Sequence, residues 1–437
     1  MNILKYSKFL LILYAFSFSV KAQDTLHLSR AQSEAIFIKE NLLIIAEKLQ
    51  IPQAEAMVLQ AKLWPNPSIE IEEVNLWTSQ SGTNNLSYFG EELPPFGKGS
   101  FGKNQQLGVS VEQLILTAGK RRKLIAMEKV GVEQAKQYFE EVIRGLKIEF
   151  RNQLTILQYL ELSRKIYLNQ INSITQLTNA YRSQMDQGNV SKGEYVRLKA
   201  LELEIAQTIN EHNKQINEAK KELKLLMNLP PSIQLTITED DYLKDVQNFP
   251  PLFINDLISQ AKENRPDYKL VELEQDYAQK KLGYEKAQRV PDLALSGAYD
   301  RGGNFMKDFV GFGLTMDLPF FNRNQGNITA AKIGVEQSEI LKKHKDLSLE
   351  NEVSLAHANL LNAVSFLNKI ETNYETTLDE LLSTYTKNFS NRNMSMLEYL
   401  DFFEAYLENK KIILEAGKEV NEAAEELNFT IGKDIIN

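Results

Sequence analysis

Three carboxylates in two related stretches are the side chains best placed to do chemistry. Glu398 and Asp401 lie three positions apart, so one face of a helix would carry both. Glu194 occupies the matching place in the earlier stretch, where Arg197 replaces the second acid. Like charges this close raise some of one another's pKa values and favour bound cations. The spacing therefore indicates either a cation-attracting acidic surface or an ordinary solvated helix face.

These carboxylates belong to a segment that occurs twice, at 181–203 and again at 385–407. Each copy contains an apolar segment of helical period, a polar turn and a second such segment, which predicts an αα-hairpin. A repeat of this length predicts two similar halves, about 23–229 and 250–437, separated by a short connector.

Polar residues form the turn of each predicted hairpin. Ser191 and Ser395 each precede a glutamate by three positions, the spacing of a capping box at the start of a helix. Turns that repeat at the far ends of two hairpins suggest a shared docking role, although polarity there also serves solubility. The candidate docking residues are Gly188, Asn189, Ser191, Asn391, Arg392, Asn393 and Ser395.

The chain begins with the features of a secretory signal peptide. Over 1–22 a basic start precedes an apolar core too short to span a membrane, and small residues follow. The sequence contains no cysteine, so neither a lipid-accepting cysteine nor a disulfide is expected. Because the signal holds three lysines and no acid, its removal from Gln23 onward changes the net charge from −8 to −11, and nucleic acid is not an expected partner.

Four short segments alternate apolar with small or polar residues, as strands do. The expected strands are about 67–78, 105–117, 291–301 and 308–319. Helical periodicity covers most of the remaining chain, with a kink expected at Pro52. The expected helices are about 30–62, 123–185, 192–227, 252–289, 325–388 and 394–428.

This alternation is typical of membrane β-strands, which place one face in lipid and the other in a wet lumen. A soluble sheet packed on helices is the alternative, and the signal peptide and the very long helices favour the membrane interpretation. Four strands cannot close around a lumen, and an open sheet edge cannot lie in lipid. Several chains would therefore combine their strands, and their helices would form a tube of coiled coil.

Short landmarks occur in a characteristic order along the chain. Asn66-Pro67 precedes the first strand, Gln113-Leu114 through Gly119-Lys120-Arg121 follows the second, and Leu318-Pro319-Phe320-Phe321-Asn322-Arg323 follows the fourth. With the paired turns and the duplication, they make the chain similar to the TolC family of outer-membrane efflux channels over essentially its whole mature length. The first two resemble most the heavy-metal branch, although many members of that branch carry a lipidated cysteine that is missing here.

The resemblance implies a mainly helical fold with membrane strands, in which three chains form a twelve-stranded β-barrel and a long periplasmic helical tunnel. It implies that the chain is the outer-membrane exit duct of a tripartite efflux system, exporting small molecules or metal ions. The implied partners are two further copies of the chain in a homotrimer, outer-membrane lipid, a periplasmic adaptor (membrane fusion) protein and an inner-membrane pump of the RND type.

The resemblance also assigns roles near the hairpin tips. Acidic residues at the positions of Glu398 and Asp401 form constriction rings in the family, so three chains would place six carboxylates around one axis. The family's tethers differ here, because Met394 replaces an arginine and Phe389 a tyrosine. Other residues would therefore latch the closed state, and the candidates are Arg392 and Arg197.

Catalysis is not expected from this sequence. Its four histidines lie in no familiar metal motif, and it has no glycine-rich phosphate loop and no nucleophile motif. No catalytic residue, metal site or cofactor is therefore predicted. The alternatives to a channel are a periplasmic adaptor, built on one hairpin between soluble β-modules, and a structural coiled-coil protein of the cell envelope. Two duplicated hairpins, each preceded by two strands, favour the channel.

Overall fold

The computed structural model describes residues 25–75, 106–238, 242, 249, 251–301 and 308–436, so the expected signal peptide lies outside the described residues. The chain is mainly helical and divides into two compact units. Unit A draws on the described residues of Met1–Lys48, Phe139–Arg265 and Ser348–Asn437, and unit B on those of Leu49–Tyr138 and Pro266–Leu347.

The elements follow one another in an order that runs twice through two strands, a long helix, a turn and a second helix. They are β1 (Thr25–Leu28), α1 (Arg30–Glu40), α2 (Leu42–Lys48), α3 (Gln50–Lys62), β2 (Ser68–Asn75), β3 (Gln106–Ile115), α4 (Lys120–Asp186), α5 (Lys192–Leu226), β4 (Gln234–Ile237), α6 (Ile254–Asn264), α7 (Pro266–Gln288), β5 (Leu293–Arg301), β6 (Asp308–Thr315), α8 (Gln325–Leu367), α9 (Tyr374–Ser390) and α10 (Met396–Ile431).

Unit B contains an antiparallel sheet of four strands in the order β2–β3–β5–β6. Strands β3 and β5 pair in continuous register from Leu107↔Arg301 to Ile115↔Leu293. A register shift in β2 between Glu72 and Asn75 marks a bulge. Within the described residues, β2 and β6 each have one neighbour, so both are open edges of the sheet.

Prolines lie at three of the four junctions between the strands of unit B and the adjoining helices. Pro65 lies between α3 and β2, Pro291 between α7 and β5, and Pro319 between β6 and α8. Proline cannot donate to a helix ladder and excludes the preceding residue from helical backbone, so each one allows the chain to change direction.

Unit A has two hydrophobic cores, the first built from α4 and α5 with α1, β1 and β4, and the second built from both αα-hairpins. In the first, Phe37 of α1 stacks on Phe150 of α4 with ring centroids 4.5 Å apart. The second lies toward the hairpin turns and includes Ile174, Leu198 and Phe403, all fully buried. Across the described chain, none of the helices contains an apolar stretch sufficient to cross a membrane.

The expectation of one helix over 30–62 is wrong, because three helices occupy that range and the main break lies at Asn41 rather than Pro52. The Asn41 side chain accepts from the N–H groups of Leu43 and Ile44 at 2.9 and 3.0 Å, and its amide donates to the carbonyl of Leu226 at 2.8 Å. These bonds hold Asn41 in an extended conformation. Pro52 lies in the first turn of α3, where a missing N–H costs no helical bond.

Two other expected helices are also interrupted. Arg265 is extended and separates α6 from α7, because Pro266 disfavours helical backbone at the residue before it. In the second long helix, the N–H groups of Lys369 and Ile370 bond to carbonyls three residues back, which tightens the last turn and ends α8 at Leu367. The apolar periodicity continues across that break, so the pattern alone predicts a single helix.

The connector between the halves contains a strand that the sequence analysis missed. Strand β4 pairs in parallel with β1, with Leu26 opposite Leu235 and Leu28 opposite Ile237. Leu235 and Ile237 are buried in the first core of unit A. Four residues are too few to show a convincing alternation, and a parallel partner so distant in sequence leaves no local signal.

Candidate functional site

Both hairpins end in the same backbone motif. Gly188 and Arg392 adopt left-handed backbone with φ of +76° and +59°. The next residue in each turn, Asn189 or Asn393, donates its N–H to a carbonyl five residues back at 2.9 Å. These are Schellman caps, which satisfy carbonyls at the end of a helix. Asn391, the C-cap of α9, donates to the carbonyl of Lys387 at 3.0 Å.

Each second helix of a hairpin begins with the predicted capping box. The hydroxyl of Ser191 accepts from the N–H of Glu194 at 3.2 Å, and the Glu194 carboxylate accepts from the N–H and hydroxyl of Ser191 at 2.9 and 2.8 Å. Ser395 and Glu398 repeat this arrangement at 3.3, 2.9 and 2.7 Å. These reciprocal bonds satisfy two helix donors in each box.

The same hydrogen bonds set the ionisation of the two glutamates. Bonds donated by the backbone and hydroxyl of Ser191 lower the pKa of Glu194, and those of Ser395 lower the pKa of Glu398. A ring of like charges would shift these pKa values upward, so within one chain the capping box acts in the opposite direction. Both carboxylates are therefore anionic at neutral pH.

The structure leaves the acidic pair of the second hairpin on the surface. Glu398 and Asp401 are both exposed in the first turns of α10, whereas Glu194 is half-buried and Arg197 exposed in α5. The two acids of α10 lie one turn apart and share a helix face. The seven candidate docking residues of the turns are likewise all exposed.

An aromatic stack beneath the turns joins the two hairpins of unit A. Phe389 of α9 stacks on Tyr181 of α4 with centroids 5.3 Å apart, and on Tyr399 of α10 at 4.5 Å. Phe389 and Tyr399 are fully buried. From the sequence, Phe389 was expected only to replace a tether, and the repeat did not mark its packing role because Met185 occupies the matching position of the first copy.

One polar contact also connects the hairpins at their tips. The guanidinium of Arg392 donates to the side-chain oxygen of Gln184 at 3.1 Å. Gln184 accepts as well from the Asn189 side chain at 3.0 Å, so it joins the first turn to the second. Of the two arginines suggested for a latch, Arg392 is thus the one that contacts the other hairpin here.

The sheet of unit B has two chemically different faces. Cross-strand pairing places Ile69, Val111, Gly297 and Phe312 in one row, and Phe312 is 91% exposed. The ring of Phe312 covers the bare backbone of Gly297. The opposite face has small or polar residues, and one of its rows is Glu70, Ser110, Ala298 and Gly311. An apolar face this exposed is typical of a surface that contacts another protein or a membrane.

Exposed apolar stripes continue along helices of unit B. On α8, Ile333, Ile340 and Leu347 recur every seven residues, and Ile340 is 65% exposed. A seven-residue repeat is the pattern of a coiled-coil seam. Exposed apolar side chains of α3 and its flanking residues are Leu49, Met57, Leu59 and Leu63. Each helix is adjacent in sequence to an edge strand, α3 to β2 and α8 to β6.

Metal-binding geometry does not occur in the described parts of the chain. They contain no group of three or more histidine and acidic side chains that could hold a metal ion. His212 illustrates a structural role, since its ring nitrogens bond to the hydroxyl of Ser163 at 2.9 Å and the carbonyl of Thr208 at 2.8 Å.

Comparison with known proteins shows a partial family match and a shared fold. The family described as outer membrane efflux protein matches residues 257–433. The cobalt-zinc-cadmium resistance protein CzcC of Cupriavidus metallidurans is 28% identical over 154 residues, which make up 34% of this chain and 35% of CzcC. The alignment thus spans about a third of the length of this curated relative.

Solved outer-membrane channels share the fold over nearly the whole chain. CusC superposes with a TM-score of 0.70 at 17% identity, covering 94% of each chain. The open state of the Neisseria gonorrhoeae MtrE outer membrane channel superposes with a TM-score of 0.70 at 15% identity, covering 92% of this chain and 89% of MtrE.

Proposed function

We propose that this chain is a member of the TolC family of outer-membrane efflux proteins and forms the outer-membrane exit duct of a tripartite efflux system. The matching family model describes efflux proteins, and the structures with the same fold are outer-membrane channels, which supports the expectation that the chain is not an enzyme. A periplasmic adaptor and a structural coiled-coil protein, the other two candidates, are disfavoured by the same comparisons.

The observation that carries this proposal is the sheet of unit B, which is incomplete by itself. Its edges β2 and β6 are open, and its apolar face is exposed. Lipid cannot satisfy open edges, so β6 of one copy would pair with β2 of the next. Three copies would supply twelve strands and close a barrel whose small and polar face surrounds a wet lumen.

The exposed stripes of unit B support the same assembly. The heptad stripe of α8 and the apolar side chains of α3 lie on the elements next to the two edge strands. If β6 pairs with β2 of a neighbouring copy, α8 would pack against α3 of that copy and bury both stripes. A homotrimer with a helical tunnel would result, located in the outer membrane and extending into the periplasm.

The hairpin turns would bind the periplasmic adaptor, and the acids of α10 would narrow the tunnel. Support for docking is that the two turns are exposed and share one backbone motif. Support for a constriction is that Glu398 and Asp401 are exposed on one helix face just inside the turn. An inner-membrane pump of the RND type would select the cargo, and the relationship to CzcC favours divalent metal ions such as those of cobalt, zinc and cadmium.

Native mass measurement in detergent tests the assembly. The wild-type chain should have the mass of a trimer. Ile340→Glu, which places a charge in the exposed stripe of α8, should shift the mass toward the monomer, because an unpaired charge in an apolar seam is costly. Ile340→Leu keeps the stripe apolar and should remain trimeric. A stable wild-type monomer, or an Ile340→Glu trimer as robust as wild type, would contradict the proposal.

A further inference from the structure

Positive charge is concentrated where the helices of unit B meet the sheet. The segments 60–67, 113–124, 284–293 and 316–326 contain eight basic residues and three acidic ones, in a chain with a net charge of −8. We call the eight the basic collar: Lys62, Lys120, Arg121, Arg122, Lys123, Lys286, Arg289 and Arg323. Its residues lie at the strand-facing ends of α3, α4 and α7 and in the segment that precedes α8.

Within the described residues, seven of the eight collar residues form no ion pair, although Arg121 and Arg323 donate hydrogen bonds to backbone carbonyls. Lys120 is buried and paired with Asp292 at 2.7 Å, which accounts for one cation. Lys62, Arg122 and Arg289 are exposed. Arg121, Arg122 and Lys123 lie in the first turn of α4, where the helix dipole disfavours positive charge. These three positive charges are therefore unfavourable for the helix by themselves, and an external anion would offset them.

Exposed aromatic side chains accompany the collar. The guanidinium of Arg121 lies 4.1 Å from the ring centre of Trp64 and donates to the carbonyl of Lys62 at 2.9 Å. Trp64 is 60% exposed, and Phe320 and Phe321 are exposed near the start of α8. Trp64 and Arg121 also line a cavity of about 260 Å³ with Tyr284. Tryptophan beside basic residues is the composition of a membrane–water interface.

We propose that the basic collar binds the headgroup phosphates of anionic phospholipids in the periplasmic leaflet of the outer membrane. The proposal rests on the proposed function, because it needs the apolar face of the sheet to lie in lipid. That face adjoins the collar, so a lipid whose acyl chains cover Ile69 or Leu314 would place its phosphate near the strand–helix junctions. Basic residues near a membrane surface each contribute attraction to anionic lipid.

Native mass spectrometry of the purified assembly tests this inference with phosphatidylglycerol and phosphatidylcholine of identical acyl chains. Wild type should retain several-fold more phosphatidylglycerol than phosphatidylcholine. A wash in 0.5 M salt, before the sample is desalted for the measurement, should reduce this difference. The triple variant Lys62→Gln/Arg122→Gln/Arg289→Gln should retain the two lipids equally. The matched control Lys48→Gln/Lys214→Gln/Lys221→Gln removes three exposed charges outside the collar and should behave as wild type.

The outcomes separate this inference from the proposed function. A conducting trimer with no preference for phosphatidylglycerol, or a collar variant that keeps the preference, would overturn the collar proposal alone. Failure to form a trimer would overturn the proposed function. If free glycerol phosphate, at the same concentration as the lipid, displaced phosphatidylglycerol, the collar would be a site for soluble phosphate. That result would also overturn the assignment to lipid.

Discussion

Two residues at matching positions of the hairpin turns share a left-handed backbone but differ in side chain. Glycine at position 188 adopts that backbone without strain, whereas arginine at position 392 does so at a cost of about 1 kcal/mol. The arginine side chain donates a hydrogen bond to Gln184, which a glycine at this position could not do. At the residue scale, this strained arginine is thus the best-supported candidate for a latch between the hairpins.

Arg392→Gly should relieve the backbone strain and remove the contact with Gln184. Gln184→Leu should remove the same contact without altering the backbone. Both variants should increase channel opening in planar bilayers, and Arg392→Gly should do so without loss of thermal stability. Arg197→Gln, at the other candidate, should leave opening unchanged. Wild-type opening in both contact variants would exclude the Arg392 latch.

Removing charge from the acids of α10 should reduce the cation preference of the channel. Glutamine can still accept the bonds of a capping box, so Glu398→Gln/Asp401→Asn changes charge with little effect on the turn. Reversal potentials and block by multivalent cations are the measurements. Ser395→Ala should cost about 1 kcal/mol through the lost cap yet keep the cation preference. An unchanged reversal potential in the double variant would show that these carboxylates do not face the pore.

At the scale of elements, the sheet of unit B is organised by the alternation of its strands. Successive side chains point to opposite faces, so β6 carries Phe312 on the apolar face and Gly311 on the small face. The antiparallel register then aligns like residues across all four strands. A substitution in one row therefore changes only one face of the sheet, and substitutions in neighbouring rows compare the two faces.

Phe312→Asp should impair stable insertion into the outer membrane, because a charged side chain on the lipid face of a membrane strand is destabilising. Ala298→Asp introduces the same charge on the small face, beside Ser110 and Gly311, and should insert. The amount of folded protein in the outer-membrane fraction is the measurement. Equal insertion of both variants would argue against a lipid-facing Phe312.

At the scale of the whole molecule, an ion cluster in unit A ties the first helix and the end of the chain to α4. Arg151 pairs with Glu34 at 2.9 Å, with Glu425 at 2.9 Å and with Asp434 at 3.0 Å, and Lys147 also pairs with Asp434 at 2.6 Å. Burial alone would raise the pKa of Asp434, but hydrogen bonds from Arg151 and Lys147 outweigh it and lower that pKa.

This lowered pKa predicts an acid dependence of stability. A carboxyl whose folded pKa lies below its unfolded value of about 3.9 stabilises the fold above that pH. The stabilisation is lost as the pH falls through the folded pKa. Asp434→Asn should therefore cost roughly 1–2 kcal/mol at pH 7, since Asp434 is one-third exposed, and this difference from wild type should shrink below about pH 4.

Thermal unfolding followed by circular dichroism between pH 7 and pH 3 measures this effect. The control Asp401→Asn alters an exposed acid in α10 and should follow the wild-type curve throughout. A difference between Asp434→Asn and wild type that stays constant down to pH 3 would contradict the assigned role of the Asp434 charge.

The sequence by itself determined the features that depend on neighbouring residues. Ser191 and Ser395 are followed by glutamates at capping distance, and β6 alternates between two kinds of residue, so both caps and the faces of the sheet could be predicted. The proposed outer-membrane location rests first on such local patterns in their order. A capping box and the alternation along a strand each involve only a few neighbouring residues, so both can be predicted without knowledge of the fold.

Only the tertiary structure decided the features that join distant residues. The helix break at Asn41 depends on the carbonyl of Leu226, the contact at the tips joins Arg392 to Gln184, and the ion cluster gathers side chains around Arg151. No periodicity marks these partners in advance. Their positions are set by the packing of whole helices, which brings side chains far apart in sequence within hydrogen-bonding distance.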